Sequence, residues 1–166
     1  MPRRQLKKIL PTHEKIKKQK YLKIFGNFLN KREIWSLNRK KVVVGVLIGI
    51  FVSFLPMPFQ MVLSAFLAII FSANLAISVV LVFISNPITM PPLFYLEYEL
   101  GNLILKPEVI IEFNFDSMYD NFDQIAISLW TGALVLGVFS SVICAIVVNF
   151  LWIYTVRKNR KKSKVN

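Results

Sequence analysis

The chain has 166 residues, 55% of them hydrophobic, yet carries a formal net charge of +12, a pairing of properties that is rare in a soluble domain. Segregation reconciles the two: of the 21 Lys and Arg, 14 precede Val42, six follow Val156 and Lys106 alone lies between. The uncharged runs from Val42 to Tyr95 and from Gln124 to Val156 far exceed the roughly 20 apolar residues that span a bilayer, so the sequence reads as an integral membrane protein.

Met1 to Lys20 is a basic arm with Pro11 and the lone His13. The histidine has no second His, Cys or acidic cluster beside it and reads as a solvated surface residue. Tyr21, Ile24, Phe25, Phe28 and Leu29 follow at the spacing of one helical face, with lysines elsewhere, the pattern of a helix lying in the membrane interface. Its partner is a bilayer containing anionic lipids, each lysine contributing on the order of 1 kcal/mol to attachment. The arm is too long for a signal-peptide n-region, so the chain is expected to stay intact. Basic segments also bind nucleic acid through phosphates; tethered ahead of a membrane span this one reads as a topology signal, and no nucleic acid is expected.

Within the apolar region, five of the eight prolines fall in two clusters, Pro56 with Pro58 and Pro87 with Pro91 and Pro92. Proline removes a backbone donor and clashes with the preceding turn. Val42 to Leu55 and Phe59 to Ala73 are therefore two short helices, forming a re-entrant hairpin or two abbreviated spans. Ala76 to Ser85, the Asn86-Pro87 break and Ile88 to Leu105 make a longer broken span. Backbone groups freed at membrane depth must be buried in protein or face a wet cavity, so both breaks are expected inside the protein. Gln60, Asn74, Asn86 and Thr89 are polar side chains stranded beside them. They suit stapling of the broken helices or contact with a substrate at paired interrupted helices. Glu97 and Glu99 lie about 15–18 Å beyond Pro87 along a helix and read as a wet interfacial pair in preference to a proton relay.

The loop from Lys106 to Asp123 holds Glu108, Glu112, Asp116, Asp120 and Asp123 against one lysine. By the positive-inside rule the loop lies outside and both basic ends lie in the cytoplasm. Ser117-x-x-Asp120 is a weak capping cue for a short helix there. Ala126 to Thr155 is the last span, with Ala133, Gly137, Ser141, Ala145 and Asn149 at a four-residue step. Small residues so placed permit close helix approach; Gly45-xxx-Gly49 offers a similar face on the first helix, and the two faces are expected to touch, within one chain or across a homo-oligomer. The expected fold is all-α: a polytopic helical membrane protein with two proline-broken helical hairpins and a C-terminal transmembrane helix. Its parts are a basic cytoplasmic arm (1–41), proline-interrupted membrane helices (42–105), an acidic periplasmic loop (106–125), a transmembrane helix (126–156) and a basic tail (157–166).

The run Leu55-Pro56-Met57-Pro58-Phe59-Gln60-Met61 through Asn74-Leu75, then Ser85-Asn86-Pro87-Ile88-Thr89-Met90-Pro91-Pro92 with Tyr95, Tyr98 and Gly101, resembles a bacterial membrane family catalogued as domain of unknown function two thousand and sixty-two. The resemblance implies an inner-membrane protein of the cell envelope. In some members the domain accompanies a glycosyltransferase, which implies such an enzyme as partner. Glu97 and Glu99 depart from the neutral or basic residues of the family pattern. There is no Ser/His/Asp set, no metal-ligand spacing and no Gly-rich phosphate loop; neither an enzyme nor a cofactor is expected. Two functions remain: a small transporter or lipid-handling protein with a site at Pro56, Pro58, Gln60, Asn74, Asn86, Pro87, Thr89, Pro91 and Pro92, or a scaffold for envelope glycosyltransferases.

Overall fold

A computed structural model of the protein describes Leu22, residues 32–107 and residues 122–162. The basic arm, all but Leu22 of the interfacial helix, and most of the acidic loop with its Ser117 cue lie outside these residues. Among the described residues every regular element is helical: α1 (Arg39–Ser53), α2 (Gln60–Ile70), α3 (Leu75–Leu81), α4 (Met90–Leu105) and α5 (Phe122–Lys162), with short 3-10 turns at Arg32–Trp35 and Val82–Ile84.

Local chemistry sets the boundaries. Pro56 disfavours helical backbone at the residue before it, and α1 ends at Ser53. The chain re-enters helix after Phe59, whose φ of 65° is left-handed. Between α2 and α3 lies a turn that carries no proline. Ser72 adopts φ 48°, and the helix expected to run to Ala73 stops at Ile70. Asn74 then caps α3, its Oδ1 accepting from Ile77 N at 3.0 Å. An Asn cap satisfies one of the first-turn amides that a helix leaves unpaired. The same residue ties this turn to the start of α1: its amide donates to Lys41 O at 2.9 Å and its Nδ2 to Ser36 O at 3.2 Å. Pro91 and Pro92 do not break a helix. They occupy the first turn of α4, where a missing N–H forfeits no intrahelical bond.

Register follows from the close contacts. A Cβ added at Gly45 would meet Asn74 O at 2.9 Å and one at Gly49 would meet Ser78 O at 2.6 Å, so α1 and α3 run parallel. Gln60 bonds to Ser85, and Ser64 to Ser78, so α2 lies antiparallel to α3. Gly101 abuts Ser128 and Gly132 abuts Glu97, making α4 and α5 antiparallel. Gly137 faces Phe51 and Phe54 at the end of α1, while Cys144, Val148 and Trp152 join the cluster of Val42, Val46 and Ile50.

Two storeys result. The basal storey packs α1, α2 and α3 around Val52, Ala65, Ala68, Leu75 and Val79, flanked by the C-terminal half of α5. The distal storey is α4 against the N-terminal part of α5, around Tyr98, Ile125 and Leu129. One helix serves both, because positions four apart on a 3.6-residue helix precess by about 40° per step. Ile125, Leu129, Ala133, Gly137, Ser141 and Ala145 are all buried, first facing α4 and then α1. Exposed Arg39 and Lys40 share the basal end with exposed Arg157 and Lys158.

Candidate functional site

The two breaks meet at one residue. Gln60, first in α2, is buried beneath the turn that precedes it. Its Nε2 donates to Leu55 O at 2.6 Å and Ser53 O at 3.4 Å. Its Oε1 accepts from Ser85 Oγ at 2.9 Å, and that hydroxyl also lies 3.0 Å from Val82 O. Carbonyls released where α1 stops, and one in the last turn before the second break, are thus gathered on one hydroxyl and one amide. Within the second break, Asn86 Oδ1 accepts from Ile88 N and Thr89 N. Thr89 Oγ1 accepts from Asn86 N and donates to Ile84 O at 2.6 Å. Asn74 does the same work at the base. An Asn or Thr side chain replacing a lost backbone partner is the local chemistry expected of a helix break.

An apolar cleft of about 370 Å³ lies where the breaks meet, lined by Met57, Phe59, Gln60, Val82, Phe83 and Ser85 among others. Its polar lining, Gln60 and Ser85, is already bonded within the chain. The prolines themselves differ from expectation. Pro58, Phe59, Pro87 and Ile88 are exposed at the protein surface and Pro56 is partly so, with the polar staple, not the prolines, turned inward. Pro91 and Pro92 sit in α4, and Pro92 is exposed.

Helix packing also needs correction. Gly45 and Gly49 face α3, not the last helix. The α1–α5 contact uses Val42, Val46 and Ile50 instead, because α3 already occupies the glycine face. Ala133, Gly137, Ser141 and Ala145 do form the inward stripe of α5, Gly137 against Phe51 and Phe54. Among the described glycines the tightest approach lies elsewhere, at Gly101 and Gly132, where an added Cβ would overlap the backbone of Ser128 and of Glu97 respectively.

At that crossing stands Glu97, which the sequence reading placed with Glu99 in a wet interfacial pair. The buried stripe of α4 is Glu97, Tyr98, Gly101 and Asn102. Glu97 is 0% exposed, and neither carboxyl oxygen has a hydrogen-bond partner. Asn102 is 7% exposed, with both side-chain polar atoms unpartnered. Its neighbour Glu99 is exposed, so the two glutamates are not a pair. A cleft of about 670 Å³ runs beside α4, with Leu96, Leu100, Asn102, Leu103 and Leu136 in its wall and Glu99 and Lys106 at its polar end. Buried polar groups are bonded in the great majority of proteins, which makes these two the most unusual side chains of the described chain. The signal available in sequence was rotational: Glu97 precedes Gly101 by four residues and so shares its face.

The uncharacterised protein family conserved in bacteria known as DUF2062 matches residues 22–161. The chain belongs to it. The chain matches no curated protein and no solved structure. Among the described residues of this DUF2062 protein one helix, Ile125–Asn159, is long and apolar enough to cross a membrane, and 17% of its most apolar window is buried. A core helix of a soluble protein with that composition would be mostly buried.

Proposed function

We propose that this DUF2062 protein is a multi-pass inner-membrane protein of the bacterial envelope that transports or handles a small molecule or a lipid. The observation that carries the membrane reading is the inversion of polarity in α4 and α5. Val138, Phe139, Ile143, Ile146, Phe150 and Leu151 are exposed, while Ser128, Ser141, Glu97 and Asn102 are buried. Apolar residues facing out and small or polar ones facing in suit a hydrocarbon surround. Exposed basic residues gathered at one end support a cytoplasmic base with both termini on that side. Because α1 reaches only the level of Gly137 on a helix about 52 Å long from Ile125 to Asn159, a re-entrant α1–α2 hairpin accounts for the first break better than two full spans. The site for transport moves from the breaks to the cleft at Asn102, whose amide is free to bind.

Resistance to alkaline carbonate extraction, with a cytoplasmic reporter active at either terminus, tests the membrane reading. For activity, a deletion strain should show altered lipid or solute flux that wild type restores and Asn102→Ala does not. The scaffold reading is favoured by one observation, the internal pairing of Gln60, Asn86 and Thr89. Full restoration by Asn102→Ala, together with loss of a co-purifying glycosyltransferase on deletion, would select it.

A further inference from the structure

We propose that Glu97 is a proton-binding site, a carboxyl carried as the neutral acid within the α4–α5 crossing. A carboxylate sealed from water with neither oxygen bonded loses several kcal/mol of solvation that nothing returns, whereas the protonated form loses only what a buried hydroxyl and carbonyl lose. Something must therefore neutralise it, and among the described residues the elements packed around it supply no cation. From α5 it meets Gly132, with Ser128, Leu129 and Ala133 on the same buried face. On α4 its buried companions are Tyr98, Gly101 and Asn102. Lys106 and Glu99 stand on the opposite, exposed side of α4, and Asp123 lies nine residues before Gly132, about 13 Å along the axis.

The second observation is steric. With Gly101 against the Ser128 backbone and Gly132 against the Glu97 backbone, the helices touch main chain to main chain where the carboxyl lies 0% exposed, so water reaches it only if they separate. Proton release and opening of the crossing are thus the same event: ionisation requires a solvent path, and a solvent path requires the helices to part. The inference rests on this crossing and not on the membrane reading.

The test uses the wild-type protein in detergent micelles and a hydrophobic carbodiimide. The carboxyl O–H adds across one C=N bond to give an O-acylisourea, which rearranges to a stable N-acylurea that retains the whole reagent. Partings of the crossing that reach the neutral acid admit the reagent from the apolar phase, so peptide mass spectrometry should find the adduct accumulating slowly on Glu97 and not on Glu99, with a rate falling about tenfold per pH unit above the titration midpoint. Glu97→Gln should abolish it, and Glu99→Gln should leave it unchanged. Infrared spectroscopy needs no reagent access and should show a protonated-carboxyl band at neutral pH that Glu97→Gln lacks. Absence of that band overturns the proposal. Slowing of the label by sodium chloride, relative to choline chloride at the same pH, also overturns it, assigning the site to an alkali cation. Carbonate extraction is independent of these readouts, so either reading can fail alone.

Discussion

Where the two helix breaks meet, a single amide and a single hydroxyl collect carbonyls at the end of α1 and in the last turn before the second break; 12 residues beyond Ser85, at Glu97, a carboxyl is buried with no partner at all. Both places put polar atoms into an apolar interior, but the first answers a backbone need and the second answers none. The contrast separates structural polarity from polarity that awaits a ligand, a distinction that residue type alone does not make. Gln60, Asn86 and Thr89 suit either stapling or a substrate site in sequence, and in the structure their polar atoms pair within the chain. Glu97 and Asn102 look incidental and are the groups left free.

The sharpest way to break the comparison is to open the crossing. Gly132→Ala and Gly101→Ala drive a methyl into backbone that cannot move aside and should each destabilise the fold by about 3 kcal/mol, read by thermal unfolding in detergent. Gln60→Ala removes the side-chain donor to Leu55 O and Ser53 O and the acceptor of the Ser85 hydroxyl and should cost about 2 kcal/mol, with Ser85→Ala nearer 1. Asn74→Ala removes the cap of α3 and its tie to Ser36 and should cost about 1 kcal/mol. Ser72→Gly relieves a left-handed backbone and should gain about 0.5 kcal/mol after the entropy of glycine is counted. Glu97→Gln should move the melting temperature least of all, since an amide of the same shape replaces a neutral acid. A large loss in that variant would mean that the carboxyl is structural and would dissolve the distinction.

Much of the architecture was legible. The prolines at 56, 58 and 87 announced interruptions because they forbid helix on steric grounds, and the charge-free run to Val156 announced α5. The turn at Ser72 was not, since nothing forbids helix through Phe71 to Asn74 and an all-round apolar segment carries no periodicity to mark its end. Asn74 was noticed as a stranded amide, but its role as a cap depends on that unseen turn. The small-residue step on α5 was visible at Ala133 and Gly137, yet its partner was not. A glycine pair specifies closeness without saying to what, and α3 reached Gly45 and Gly49 first. Glu97 was misplaced because distance from Pro87 along the axis was considered and direction around it was not.

The helix α5 runs unbroken past both storeys, the same rod meeting α4 at Gly132 and α1 at Gly137 and beyond. A packed helix transmits displacement along its length. A sideways displacement of α5 at the Glu97 crossing would therefore be shared with its packing on α1, which makes this one rod the physical link between the carboxyl and the cationic base.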